Sequence, residues 1–414
     1  MTRLAPLASL ALIIAPAIVL VQKRGLVPVG ILLALASLVA ARQRFGAVAR
    51  AALAGPAAAA LTLAGWAMLS AAWAIGPREA LLGGLRLAAM VLLLGSILAT
   101  VPMAPEAGRR LGRATLAAAL AGAALIAVEL GFGAPINNAA RLFPDPPYTP
   151  GVTKPAATFL VLLVGPAMAA AHVEGGLRLA LATGLAIAAA VAASTAEAAR
   201  LAVVFALAGG GLALLRPALV RRALPAGLAL VVLAGPPLVQ WSAGEAARAG
   251  LLPLSAVHRV LIWDHAAERA ADRPLLGFGM DAARSLPGGA DRPDAARLDR
   301  LGIGGEIRAF FETGPSHAVH LLPLHTHSMP LQVRLELGLA GLAVFALFAY
   351  RCGRAVAALP SGAALAAGTA TAAAASVVSL LSYGVWQHWW WVACALAALP
   401  LAAGRDSGDR RFCD

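Results

Sequence analysis

The chain has 414 residues, of which 60% are hydrophobic, and its mean hydropathy is +0.79. Soluble domains contain roughly 45–50% apolar residues, so this composition excludes an ordinary soluble protein. The net charge of +13 does not indicate a nucleic-acid binder, because a binder concentrates its basic residues on one face and here they are spread over many short loops.

Apolar runs of membrane-spanning length recur along the whole chain. A hydrocarbon core about 30 Å thick requires about 20 residues of helix. We therefore predict an all-α polytopic membrane protein with about twelve transmembrane helices. The predicted spans are residues 4–21, 25–41, 51–74, 80–102, 112–132, 155–173, 177–195, 198–215, 223–241, 329–350, 361–382 and 384–403.

These spans divide the chain into three parts. Residues 1–241 contain helices 1–9, residues 242–328 form a loop domain with short helices, and residues 329–414 contain helices 10–12 and a short tail. The span boundaries within 51–74 and near 195–200 are the least sharply defined by the apolar pattern.

The basic residues of the short loops set the predicted orientation, since Lys and Arg are more frequent in cytoplasmic loops. Sixteen lie on one side and six on the side of the loop domain. We therefore predict that both termini are cytoplasmic and that residues 242–328 are external. The sixteen are Arg3, Arg42, Arg44, Arg50, Arg109, Arg110, Arg113, Arg178, Arg216, Arg221, Arg222, Arg351, Arg354, Arg405, Arg410 and Arg411; the six are Lys23, Arg24, Arg78, Arg141, Lys154 and Arg200.

The loop domain has a recognisable internal pattern. Residues 255–271 predict an amphipathic helix, with Val257, Leu261 and Ile262 on its apolar face. The turn Pro274-Leu-Leu-Gly-Phe-Gly279 then ends this helix. None of the three cysteines lies in the loop domain, so we expect no disulfide there.

Six of the eight histidines also lie in the loop domain. His327, just before an apolar helix, is our candidate general base, because a neutral imidazole accepts a proton near physiological pH. A metal site is the alternative, since a histidine-rich tract is a metal-binding signal. Pro315 and Pro323 interrupt this tract and no HExxH occurs, so we predict neither a bound metal nor another cofactor.

Several charged residues at helix ends are further candidates. An arginine in or at the end of a membrane helix is costly and therefore a functional candidate, which applies to Arg200 and Arg86. Arg259 lies on the predicted amphipathic helix, and Lys154 ends the second external loop. The alternative for each is a side chain that only reaches toward water. Glu129, in contrast, is expected to be a structural partner.

Three short motifs occur in order: Arg259-Val-Leu-Ile-Trp263, Pro274-Leu-Leu-Gly-Phe-Gly279, and His325-Thr-His327-Ser-Met-Pro-Leu-Gln332 followed by Glu336-Leu-Gly338 and Gly341. Together with the predicted topology they resemble the O-antigen ligase and O-antigen polymerase superfamily of bacterial envelope glycosyltransferases. Two departures are visible. The Ser or Thr expected directly before the arginine of span 8 lies several residues earlier, and Ser328 replaces the usual Asn after the histidine.

The resemblance implies a multi-pass protein of the bacterial inner membrane whose active site faces the periplasm. It implies transfer of a glycan from undecaprenyl pyrophosphate to lipid A-core, without a metal and without a nucleic-acid partner. His327 would activate the acceptor hydroxyl, while Arg259 and Arg200 would bind the pyrophosphate, so lysine should replace either arginine poorly. The further substrate-binding candidates are Arg86, Lys154, His325, Gln332, Glu336 and Trp263.

Other functions remain open at this point. An O-antigen or exopolysaccharide polymerase, or a protein O-oligosaccharyltransferase, would differ from a ligase only in the acceptor. We favour the ligase because the loops are compact and no C-terminal domain follows. A transporter of polyprenyl-linked glycans would instead place charges near the bilayer midplane in two corresponding halves, whereas the candidate charges here cluster toward one face.

Overall fold

The computed structural model describes residues 4–42, 46, 49–50, 53–101, 107–140 and 150–403. Within these ranges the chain is helical and contains no strand. The predictions for Arg3, Arg44, Arg141, Arg405, Arg410, Arg411 and Cys413 lie outside them. The helices are α1 (Leu4–Gln22), α2 (Leu26–Ala40), α3 (Pro56–Leu69), α4 (Pro77–Thr100), α5 (Ala107–Gly131), α6 (Pro135–Ala140), α7 (Lys154–Ala193), α8 (Glu197–Leu215), α9 (Pro217–Arg248), α10 (Leu254–Asp272), α11 (Ala295–Arg300), α12 (Gly305–Thr313), α13 (Met329–Ala357), α14 (Ala363–Leu381) and α15 (His388–Ala403).

The helices confirm the all-α prediction and indicate a multi-pass membrane protein. Among the described residues, eight helical segments are long and apolar enough to cross a membrane. Two of them, Leu4–Ala40 and Gly151–Ala193, each cover two of our predicted spans. The shorter apolar helices Pro56–Ala72 and His388–Ala403 overlap two more. The count of twelve therefore stays a prediction.

Small residues allow the membrane helices to approach closely. A Cβ atom at Gly165 of α7 would lie only 2.5 Å from the carbonyl oxygen of Ala367 in α14. Without a hydrophobic driving force in lipid, such close backbone contact is a main source of helix association. The Ala- and Gly-rich composition thus has a packing role.

The two opposite ends of the helical bundle differ in the loops that they contact. At one end, which we call the loop-domain end, Ser70 and Glu197 contact Met280 and Ser255 of the loop domain. The opposite end holds several arginines that contact neighbouring loops. They are Arg113 with Glu174, Arg221 with Leu359, and Arg351 with Gly55. How these ends face the two sides of a membrane remains a prediction from the charge bias.

The loop domain packs around its own apolar core and continues into α13. The helix predicted over residues 255–271 is α10, and the apolar face that contains Val257 and Leu261 is buried as expected. This face contacts a core shared with Phe311 of α12 and with Leu331 and Leu335 of α13. The loop domain is therefore attached to the first turns of a membrane helix.

Helix α13 is broken at Gly338, and the loop 274–279 repairs the break. Gly338 has φ +65°, so the helical hydrogen bond from the Leu339 amide to the Leu335 carbonyl is lost. The Leu339 amide instead donates to Pro274 O (2.8 Å), and the Phe278 amide donates to Leu335 O (3.1 Å). In the same way, Ala340 donates to Leu275 O (3.3 Å) and Gly279 donates to Glu336 O (2.7 Å).

Two tryptophan side chains complete this exchange. The indole N–H of Trp66 donates to the free carbonyl of Leu337 (3.1 Å), and that of Trp73 donates to Leu276 O (3.2 Å). Unpaired backbone groups at membrane depth cost several kcal/mol each, so a broken helix requires such partners. The motifs at 274–279 and 336–338 therefore form one backbone-to-backbone joint.

We predict that Gly338→Ala destabilises the protein by at least about 2 kcal/mol, because it adds left-handed strain and a collision. The new Cβ would collide with the carbonyl of Leu275. Thermal melting of detergent-purified protein measures the effect. Gly211→Ala in α8 is the control: its Cβ meets no atom within 4 Å, so that variant should melt at or slightly above the wild-type temperature. Equal melting of Gly338→Ala and wild type would disprove the joint's role.

Candidate active site

The loop before α13 holds His327 in a defined backbone conformation. His327 has φ +55°, a left-handed conformation that few non-glycine residues adopt. Thr326, just before it, is buried and accepts a hydrogen bond at its carbonyl from the indole N–H of Trp263 (2.8 Å). Its hydroxyl donates to Ser328 O (2.6 Å). Strained backbone held by surrounding contacts is typical of functional sites.

The hydrogen bonding of His327 fixes its tautomer. Nδ1 lies 2.7 Å from the carbonyl oxygen of Ser382, which can only accept, so Nδ1 carries the proton. The neutral ring therefore has its lone pair on Nε2. Nε2 makes no hydrogen bond with the described part of the chain. This is the arrangement that a general base requires.

His325 lies against His327 and completes a histidine pair. The two ring centroids are 4.3 Å apart, and His325 Nδ1 accepts the His327 amide N–H (3.1 Å). On its other edge, His325 Nε2 lies 3.0 Å from the side-chain nitrogen of Gln387. His325 thus supports the backbone of His327 as well as its ring.

Both histidines are neutral at neutral pH. Burial, reinforced by the neighbouring His325 and by Arg259, lowers the pKa of His327 to about 3. Burial, together with the positive charges of Lys23, Arg284 and Arg259, lowers the pKa of His325 to about 4. Lys23, Arg284 and Arg259 therefore lie close enough to oppose a positive charge on His325. Arg284 and Arg259 each also have a carboxylate partner, Asp281 and Glu197.

Arg259 of α10 contacts the start of α8 and lies within electrostatic range of the histidine pair. Its guanidinium is mostly buried, and Nη1 lies 3.6 Å from Glu197 Oε2 at the start of α8. Burial lowers the pKa of Arg259, while Glu197 and Tyr383 oppose this shift. The Ser255 hydroxyl also donates to Glu197 (3.2 Å). A pair at 3.6 Å is a loose ion contact rather than a tight bidentate one.

Glu197 is a site residue that the sequence reasoning missed. In the sequence it lies at the uncertain span boundary near 195–200. The available signal was its position, a carboxylate in the first turn of a membrane helix beside Arg200. The sequence does not show that it faces Arg259, because the two residues lie on different helices.

Lys23 is a second missed residue. In the sequence it is one of the short-loop charges, yet its ammonium lies 5.2 Å from the ring centroid of Tyr383 and 5.7 Å from that of Trp389. A cavity of about 330 Å³ opens beside it, between the end of α1 and the residues before α7. Gln22, Gly151 and Pro155 are among its lining residues.

Arg200 does not join this group. Its side chain is exposed, and its guanidinium donates to the carbonyl of Ser194 at the end of α7. Among the described residues it contacts neither Arg259 nor His327. The phosphate clamp of Arg200 and Arg259 therefore stays a prediction. Glu197, one turn earlier in α8, contacts Arg259 instead, whereas the guanidinium of Arg200 bonds to a backbone carbonyl.

Glu336 and Gln332 are buried, and their polar atoms are used inside the protein. The Glu336 carboxyl accepts from Trp386 Nε1 (2.6 Å), Gln332 Nε2 (2.9 Å) and the Asp281 amide (2.6 Å). The Val385 amide donates to Gln332 Oε1 (3.1 Å). We predicted both residues, and Trp263, as substrate contacts. Their burial and internal bonds instead fit residues that position the loops around His327.

Arg86 and Lys154 lie at the margin of the site. Arg86 is exposed on α4, within electrostatic range of His388 at the start of α15. Lys154 begins α7, one turn before Thr158, whose hydroxyl is 3.4 Å from the Tyr383 hydroxyl. Glu129 is buried and accepts from Asn137 Nδ2 (2.7 Å) and the Ile136 amide (2.7 Å). The structural role predicted for Glu129 is confirmed.

The described residues contain no group of three or more His, Cys, Asp or Glu side chains arranged to hold a metal ion. The histidine pair uses two of its nitrogens for other contacts, namely His327 Nδ1 and His325 Nδ1. The metal alternative from the sequence analysis therefore has no cluster of ligands in the described ranges.

Comparisons with known proteins give limited similarity. No protein-family model matches this chain. Over 136 residues, 33% of the chain, it is 29% identical to a protein named "Putative polysaccharide ligase" in Rickettsia prowazekii (strain Madrid E) and 28% identical to one in Rickettsia conorii (strain ATCC VR-613 / Malish 7). The match spans 29% of the length of each relative.

We predict that acidification from about pH 6.5 to about pH 4 destabilises the fold through the histidine pair. Their pKa values in the folded protein lie below the ordinary 6.5. The unfolded chain therefore binds more protons than the folded protein in this range, so the free energy of unfolding decreases as the pH is lowered. Above about pH 6.5 the histidine pair has no effect on stability. Each histidine contributes at most about 1.4 kcal/mol per pH unit. Thermal melting of detergent-purified protein across this range measures the loss.

His325→Gln and His327→Gln should each make this pH dependence shallower. His172→Gln, which removes an exposed histidine of α7, is the control and should leave it unchanged. The same slope in all three variants and in wild type would show that the pair is not buried and neutral.

Proposed function

We propose that this chain is a membrane glycosyltransferase that moves a glycan from undecaprenyl pyrophosphate to a hydroxyl of lipid A-core, as an O-antigen ligase does. The observation that supports the proposal is the neutral His327 ring, whose Nε2 makes no hydrogen bond to the described residues, with the mostly buried Arg259 guanidinium within electrostatic range. The names of the similar proteins favour the ligase over a polymerase or a protein O-oligosaccharyltransferase. The site is assigned to the periplasmic side on the predicted topology.

The proposed reaction is a single displacement at the anomeric carbon. The acceptor oxygen forms a bond to the anomeric carbon while the bond between that carbon and the phosphate oxygen breaks. The electrons of the broken bond leave with the pyrophosphate. The acceptor proton passes to Nε2 of His327. General-base transfer of this kind contributes typically 10²–10⁴-fold in rate.

The leaving pyrophosphate gains negative charge, which Arg259 and Lys23 are placed to stabilise. A guanidinium binds phosphate oxygens in a planar, bidentate way and stays protonated. Lys23 adds a second positive charge near His325. Donors held in place before the reaction stabilise developing charge without reorganisation. In this proposal Lys23 takes part of the role that we first gave to Arg200.

The low pKa of His327 fits a base that is switched on by its substrate. Burial and the surrounding positive charges oppose protonation of His327. A bound pyrophosphate would neutralise those cations and raise the pKa of His327, since nearby negative charge favours an imidazolium. Proton acceptance would then be favourable only with the donor present.

Arg200, Arg86 and Lys154 stay in the proposal as accessory contacts to the donor. Arg200 would have to leave the Ser194 carbonyl to reach a phosphate oxygen. Trp263, Gln332 and Glu336 act by holding the histidine loop and the residues at 383–387 in place.

His327→Ala and His327→Gln are predicted to lower glycan transfer at least about 100-fold while the protein stays folded, because the proton acceptor is lost. The test is lipopolysaccharide profiling by gel of a null strain complemented with each variant, with membrane levels of the protein checked by immunoblotting. His172→Ala is the matched control and should restore the wild-type profile.

The same gel separates the acceptors. Loss of a ligase leaves long chains on the lipid carrier and none on the core, whereas loss of a polymerase leaves one repeat unit on the core. Near-normal glycan transfer by the His327→Ala variant would disprove the assignment of His327 as the general base. Turnover of a lipid-linked glycan by purified protein in detergent would exclude a pure transporter.

Arg259→Lys is predicted to lower transfer about tenfold or more, since a point charge does not reproduce the guanidinium fork. Arg200→Lys should have a smaller effect, because its guanidinium contacts a backbone carbonyl. Glu197→Gln should lower KM for the donor with little change in kcat, because it removes the anion that competes with phosphate for Arg259. Steady-state kinetics with purified protein provide the measurement. If Arg200→Lys lowered glycan transfer more than Arg259→Lys did, Arg200 and not Arg259 would be the main phosphate contact.

A further inference from the structure

A second pocket, which three arginines line, lies at the opposite end of the bundle from His327. It is formed where α9 begins and α13 ends, and its volume is about 430 Å³. Helix α13 alone separates the two sites by a distance on the order of 40 Å. The pocket is therefore independent of the histidine site. Its lining includes Arg221, Arg222, Pro225, Tyr350, Arg354 and Ala357.

The wall of this pocket is rigid. Arg221 donates to the carbonyls of Ala357 (3.1 Å) and Leu359 (2.8 Å) and to the Ser361 hydroxyl (3.0 Å). A Cβ at Gly353 would lie 2.7 Å from Pro225 Cα, so α9 and α13 cross in backbone contact. Arg354 adjoins this crossing directly, which fixes the base of its side chain.

Among the described residues, no carboxylate neutralises the positive charge of this pocket. Arg222 and Arg354 are exposed, and neither forms an ion pair within the described ranges. Arg221 bonds only to uncharged acceptors. No carboxylate lines the pocket. By contrast, Arg300 and Arg308 of the loop domain each pair with a carboxylate.

We propose that this pocket binds the phosphate group of an anionic membrane lipid. Guanidinium groups bind phosphate oxygens with strong, charge-assisted hydrogen bonds, and basic pockets between membrane helices hold lipid headgroups. The exposed Leu219 and Leu347, near the pocket on the same two helices, provide apolar surface for acyl chains. Tyr350 is amphipathic and partly exposed, as suits the boundary between headgroup and chain. These apolar flanks favour a lipid over free phosphate.

The test uses the full-length protein purified in a neutral detergent. Thermal melting is followed while short-chain phosphatidylglycerol, short-chain phosphatidylcholine or inorganic phosphate is titrated. Phosphatidylglycerol should raise the melting temperature with saturation, and the other two should not. In the double variant Arg222→Gln/Arg354→Gln, the half-saturating concentration should rise roughly thirtyfold, since each guanidinium near anionic lipid contributes a factor of about five.

Arg110→Gln/Arg178→Gln is the control, because it removes two exposed arginines that do not line the pocket. It should keep the wild-type half-saturating concentration. An equal weakening in this control, an unchanged value in Arg222→Gln/Arg354→Gln, or an equal shift with inorganic phosphate would each overturn the proposal. Native mass spectrometry provides a second readout: wild-type protein should retain an anionic phospholipid that the pocket variant loses.

Discussion

The exchange of backbone hydrogen bonds at Gly338 is the constraint on which the rest of this structure depends. A helix broken inside an apolar bundle leaves amides and carbonyls that water does not reach, and each costs free energy unless it finds a partner. The loop at 274–279 supplies these partners and is held by them in turn. Because this loop directly follows α10, the joint also fixes that helix, and Arg259 with it, above the start of α13.

Further buried hydrogen bonds connect the break in α13 to the loop that holds the histidine pair. Glu336 lies just before the break and joins the loop that follows α10 to the segment before α15 through Asp281 and Trp386. The indole of Trp263 holds the backbone next to His327. Fully satisfied polar networks of this kind rigidify a site, whereas a partly satisfied one would be destabilising. The imidazole thus faces its surroundings in one tautomer and one orientation.

The two ends of the bundle use positive charge in different ways. At the loop-domain end, Arg259 and Lys23 are partly buried near neutral histidines, with Glu197 as a loosely placed counter-ion. A charged group is worth more in such partly dry surroundings than in water. At the opposite end, Arg222 and Arg354 remain exposed, where screening is stronger. The first arrangement suits the stabilisation of developing charge, and the second suits attraction of a headgroup.

The sequence by itself determined the helical class, most helix positions and the amphipathic helix at 255–271, whereas the shared site of His327 and Arg259 stays a proposal. These follow from hydropathy and local motifs, because a membrane helix satisfies its own backbone and its apolar pattern shows directly in the chain. Only the tertiary structure decided that Glu197 faces Arg259, that Lys23 reaches Tyr383, and that Arg200 turns away. Such contacts join residues far apart in sequence, and their geometry depends on how each helix is rotated by its neighbours.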